Sequence, residues 1–180
     1  MSSKKKKTVL RTIRISEDID DLLEKDAQEK NISANSLISK IMIRYVEWDR
    51  VVEKIGTSSV SPVLFKALVS EISDEKVEEI ARDFAAKEVT NIALWAFGKT
   101  DFDALIKALF LIGKYSINAP LSIEIKVDNR CVITLHHDWG PKGIVFFKSF
   151  LGNFVRNELG IQPTISIAKD IVTVSFPRPL

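Results

Sequence analysis

Thr8-Val9-Leu10-Arg11-Thr12-Ile13-Arg14-Ile15 decides how this chain is read. Val9, Ile13 and Ile15 alternate with Leu10, Thr12 and Arg14, which is the period of a strand. Ser16 follows as an N-cap, and Glu17, Asp18, Asp20 and Asp21 suit the first turns of a helix. Ile19, Leu22, Leu23 and Ala27 then repeat at helical spacing, and Asn31 is a stop signal. Ser33 caps a second helix with the stripe Leu37, Ile41, Tyr45, Trp48, Val52 and Ile55, closed by Gly56. The strand therefore has two helices after it and no nearby strand to pair with. Its open N–H and C=O groups need a partner, and the same strand of a second copy supplies one. A two-stranded antiparallel ribbon fits the major groove of B-DNA. In that pairing Ile13 and Ile15 face the helices, while Leu10, Thr12 and Arg14 face outward.

Charge agrees with this reading. Lys4, Lys5, Lys6, Lys7, Arg11 and Arg14 form a basic run without an acid, although the net charge is only +2. From Glu17 to Glu29 the sign reverses, with Lys25 the single base. Past Arg50 the charges balance. A surface that faces a polyanion is thus confined to the N-terminus. Residues 1–7 are read as a flexible basic arm that adds salt-sensitive, sequence-independent affinity for DNA.

Arg11-Thr12-Ile13-Arg14-Ile15-Ser16-Glu17-Asp18-Ile19, about a dozen helical residues, then Asn31-Ile32-Ser33-Ala34-Asn35-Ser36-Leu37-Ile38 resembles the Arc/MetJ/CopG ribbon-helix-helix superfamily. The likeness covers residues 8 to about 50. It implies an intertwined, obligate homodimer that reads double-stranded DNA with its ribbon, a prokaryotic transcription regulator of repressor type. Carried over, the base-reading residues are Leu10, Thr12 and Arg14. Leu10 departs from the polar residue usual in the family. The resemblance also implies a phosphate clamp of Ser33 with the backbone N–H groups of Ala34 and Asn35, as suits a helix N-terminus. Lys4, Lys5, Lys6, Lys7 and Arg11 are the further phosphate contacts.

The ribbon-helix-helix domain is expected over 8–56. Gly56 to Ser61 reads as a linker, and 62–180 as a C-terminal domain. Pro62 opens a helix to about Ile72; Ser73 caps one running to about Phe97; Asp101 starts another to about Tyr115. Leu121–Val127 and Cys131–His137 alternate as a hairpin, a helix spans about Gly143 to Leu159, and Thr164–Ala168 with Ile171–Phe176 form a last hairpin. The fold class expected is α+β with an antiparallel sheet. This domain is read as a sensor of a small-molecule effector or as a device for higher assembly.

Other chemistries find little footing. Cys131, His136 and His137, with Asp138, are the only grouping with the residue types of a metal site. On a strand, Cys131 and His137 share one face and His136 points the other way. Hydrogen-bonded histidines at a strand end are the expectation, with no metal and no cofactor. No Gly-rich phosphate loop occurs, no Ser-His-Asp set can be built, and Asp101/Asp103 or Glu78/Glu79 suit helix starts and exposed faces. The chain is not expected to be an enzyme. The phenylalanines 146, 147, 150 and 154 read as core, a ligand pocket or a subunit interface, and Trp95 and Phe97 share that ambiguity. One unpaired cysteine, no membrane-spanning run and no signal peptide point to a cytoplasmic, nucleoid-associated protein with no membrane partner. Competing functions are an antitoxin-type partner-binding protein and an architectural DNA-binding protein.

Overall fold

The computed structural model describes residues 9–56, 60–117 and 119–179. Lys4, Lys5, Lys6 and Lys7 therefore lie outside the described residues. The chain divides into two compact units, 1–45 and 46–180.

In the first unit, residues 9–16 form neither helix nor strand. The expected strand is absent, and among the described residues no segment offers it a ladder of backbone partners. Helix α1 spans Glu17–Glu29. Ser16 has the extended backbone of a cap (φ −73°, ψ 155°), but its hydroxyl accepts no helix N–H. It bonds the Asp18 carboxylate instead and holds that group below its ordinary pKa. Asn31 stops the helix by entering the left-handed region at φ 52°. The Ile32 N–H then reaches the Ala27 carbonyl, and the Asn31 N–H that of Gln28, both at 3.0 Å. These two bonds satisfy carbonyls that the helix end leaves open. Helix α2 spans Ala34–Arg44, and the Ser33 hydroxyl accepts the Ser36 N–H at 3.2 Å, as an N-cap does.

Helical backbone continues past Arg44 through a π-helical turn, Tyr45–Asp49, into α3, Arg50–Ile55. Gly56 ends it at φ 74°. Trp48, Val51 and Val52 are buried, and Trp48 and Val52 join the core of the second unit.

That unit is α+β. Helices α4 (Pro62–Ser70), α5 (Asp74–Phe97) and α6 (Phe102–Leu111) come first. Strands β1 (Leu121–Ile125) and β2 (Arg130–His136) follow. Helix α7 (Pro141–Asn153) leads to β3 (Thr164–Ala168) and β4 (Ile171–Pro177). The two hairpins fuse through their second strands into one antiparallel sheet of order β1-β2-β4-β3. Asn129 (φ 61°) and Lys169 (φ 51°) take the left-handed turns of the hairpins. Ser73 and Asp101 cap their helices as expected, accepting the N–H groups of Lys76 and Ala104.

Strand alternation sends one side chain in two to the core. Cys131, Ile133 and Leu135 of β2 and Val172, Val174 and Phe176 of β4 are fully buried. Above them, Phe147, Phe150, Leu151 and Phe154 are equally buried, which settles the phenylalanine-rich helix as core. Small residues let α5 approach α7: Ala81 and Ala85 are 0% and 1% exposed. The Phe84 ring then packs against Phe150 at 5.5 Å. The opposite sheet face carries Ser122, Thr134, Thr173 and Ser166 in one register row. Among the described residues, no helix is long and apolar enough to cross a membrane.

Gly143 shows how tight the start of α7 is. A Cβ there would lie 2.6 Å from His137 Nδ1 and 2.7 Å from Trp139 Cβ. The His137 ring cannot swing freely, because Phe147 packs on it at 5.1 Å. Gly143→Ala is expected to cost about 1–3 kcal/mol by overpacking. Urea unfolding followed by tryptophan fluorescence measures it, since Trp48, Trp95 and Trp139 all belong to this unit. An unchanged midpoint would show that the ring has room to move.

Candidate nucleic-acid interface

Leu10, Arg11, Thr12 and Arg14 sit together on the segment before α1, and all four are exposed. Leu10 is the extreme at 93%. Among the described residues, no backbone hydrogen bond ties 9–15 to another segment. Nothing in one chain therefore imposes the alternation that would separate an outward from an inward face. Ile13 and Ile15, expected against the helices, remain 61% and 41% exposed.

The second part of the site is the start of α2. The Ser33 hydroxyl accepts from Ser36 N–H and donates to Ser36 Oγ at 2.9 Å. Ser33 Oγ is thus engaged in the cap. The N–H groups of Ala34 and Asn35 lie in the first turn, where a helix has no acceptors of its own. They can hold one anionic oxygen without disturbing the cap. Asn35 is exposed and Ala34 half-buried, so the position is reachable.

The burial of this unit is its most informative property. Among its described residues only Ala27 and Leu37 are buried. Ile19, Leu22, Ile41, Met42, Ile43 and Tyr45 are between 47% and 63% exposed. Helices α1 and α2 lie against each other, yet most of their apolar stripes face outward. Sequence periodicity places Ile19, Leu22, Ile41 and Tyr45 on apolar stripes, and these four are exposed.

The residues with metal-ligand chemistry do not converge. Cys131 faces the helices, fully buried, and burial pushes its thiol pKa up. His136 lies in the register row of Ile171 and is exposed. His137 is 7% exposed. Its Nδ1 accepts the Trp139 N–H at 3.3 Å, so the neutral ring carries its proton on Nε2. That atom is buried without a partner among the described residues. No cluster of three or more His, Cys, Asp or Glu is placed to hold a metal ion among the described residues.

The second unit carries an apolar groove walled in part by Phe97, whose role the sequence left open between core, pocket and interface, and by Phe110, which the sequence did not single out. The available signal was α6, whose apolar residues extend beyond the buried face; Phe110 stays 42% exposed while Leu109 is buried.

No family model matches the chain, and no curated protein matches it.

Burial lowers the His137 pKa, opposed by the charges of Asp170 and Asp138. Below about pH 6.5 the unfolded chain binds a proton at this histidine that the folded chain resists. Stability is therefore full above that pH and falls as the pH drops through the window beneath it. Thermal melts between pH 7.5 and 5.5 should show this acid slope, and His137→Phe should flatten it. An equal slope in the variant would assign the loss to other groups.

Proposed function

We propose that this chain is a homodimeric, sequence-specific DNA-binding transcription regulator of ribbon-helix-helix type. The observation that carries the reading is the incompleteness of the first unit. Among the described residues its leading segment has no backbone partner, and its helices leave most of their apolar stripes exposed. A chain end of this size cannot bury enough surface alone. A second copy answers both deficits, pairing segment with segment and stripe with stripe.

Pairing two such segments antiparallel restores the period of two. Leu10, Thr12 and Arg14 then share one face of the ribbon, and Val9, Ile13 and Ile15 the other. In the major groove Arg14 can donate twice to the O6 and N7 of a guanine. Thr12 offers a hydroxyl or a methyl, and Leu10 can meet a thymine methyl. The Ala34 and Asn35 N–H groups at the Ser33 cap hold a backbone phosphate and fix the register, while Arg11 and Lys4 to Lys7 add counterion-release affinity. On this reading the protein works in the cytoplasm on the nucleoid, and the second unit serves sensing or assembly.

Selection of binding sites from random DNA with the full chain tests the reading. It predicts two inverted half-sites, as dimer symmetry requires. Arg14→Ala should weaken the preferred site by about 1–3 kcal/mol and relax the choice of base at one position in each half-site. An unchanged preference in that variant would contradict the ribbon, and enrichment of no site would contradict sequence-specific binding.

A further inference from the structure

We infer that the second unit binds an amphipathic organic anion, a carboxylate with an apolar tail, in the groove between the helical run 46–55, the end of α5, α6 and β1. The groove encloses about 490 Å³, within the range of small-molecule sites. Val46, Ala96, Phe97, Ile106, Phe110 and Ile123 supply an almost wholly apolar lining. Phe97 and Phe110 are 37% and 42% exposed. Two aromatic rings left facing water across a concave space are unlike the rest of this unit, whose other phenylalanines are buried or partly buried.

Charge selects the head group. Three charged residues line the groove: Glu47, Arg50 and Lys107. The Glu47 carboxylate is already engaged, accepting from Lys114 Nζ at 3.1 Å and from the Tyr115 hydroxyl at 2.9 Å. Arg50 bonds the Val46 carbonyl through Nε at 2.6 Å, which leaves its terminal nitrogens for other partners. Lys107 stands 6.0 Å from the Phe97 ring centre. Both cations are exposed, and neither forms an ion pair among the described residues. An apolar floor beneath two cations suits a carboxylate whose tail displaces water from the rings. It disfavours a cation, and it gives a neutral alcohol no use for the two charges. This site does not depend on the DNA-binding reading, and its test needs no DNA.

Calorimetric titration of the full chain with decanoate and with 4-phenylbutyrate, below micelle-forming concentrations, provides the test. Saturable binding of one carboxylate per chain is expected, with decanol and decyltrimethylammonium at least tenfold weaker. Ala96→Trp fills the groove and should abolish binding with the melting temperature kept. Arg50→Glu should weaken the carboxylate at least tenfold and narrow its advantage over decanol. Comparable binding of decanol or of the cation would overturn the assignment, as would carboxylate binding that survives Ala96→Trp. Failure of both carboxylates to bind would overturn it too. If in that case Ala96→Trp dissociates an oligomer of the wild-type chain, the groove is a contact between copies.

Discussion

Backbone N–H and C=O groups and apolar side chains both demand partners, and the two parts of this chain meet that demand differently. In the second unit every strand finds a neighbour, and the side chains of β2 and β4 close against α7. In the first unit the segment 9–15 has no ladder, and Ala27 and Leu37 are the buried residues among those described. An unpaired segment with exposed isoleucines is open to pairing with an available edge. The incompleteness of the first unit is what turns a question about fold into a question about partners. On the proposed reading, that partner is a copy of the same chain.

The second unit owes its independence to packing rather than to polar bonding. Ala81 and Ala85 bring α5 close to α7, and the phenylalanines of α7 fill the space over the sheet. His137 is the exception within that apolar interior. Its ring is wedged between Phe147 and the start of α7, its Nδ1 serves a local turn, and its Nε2 goes unsatisfied. An unsatisfied buried donor costs on the order of 1–3 kcal/mol. The surrounding aromatic contacts offset that cost, which makes this corner of the unit sensitive to both added bulk and added charge.

Much of this was legible in the residues. Caps at Ser33, Ser73 and Asp101, the stop at Asn31 and the turns at Asn129 and Lys169 are local signals, and each acts through a neighbour only a few residues away. Alternation over 131–137 put Cys131 and His137 on one face and His136 on the other, and Cys131 and His137 are both buried while His136 is exposed. What stayed hidden depends on non-local choices. Periodicity cannot say that β2 pairs with β4, because either hairpin edge could have met the other. It cannot place the π-helical turns at Tyr45–Asp49, Ile112–Ser116 and Phe154–Glu158, where helical spacing slips by one residue. The groove beside Phe110 is a product of three-dimensional packing. At the N-terminus the alternation of residues 8–15 predicted a strand, and residues 9–16 form none; alternation is a local signal, whereas a strand also needs a backbone partner. Arg14 and Thr12 were singled out by the sequence pattern, and both are exposed.

The pairing of two leading segments is the claim on which the DNA-binding reading stands. It is tested most directly by a half-filtered nuclear Overhauser spectrum on a mixture of isotope-labelled and unlabelled full-length chains. The account predicts cross-peaks between chains over residues 9–15, in the antiparallel pattern of short contacts that a two-fold ribbon requires. A spectrum with no contact between copies in that segment, at concentrations where the protein is otherwise folded, would contradict it.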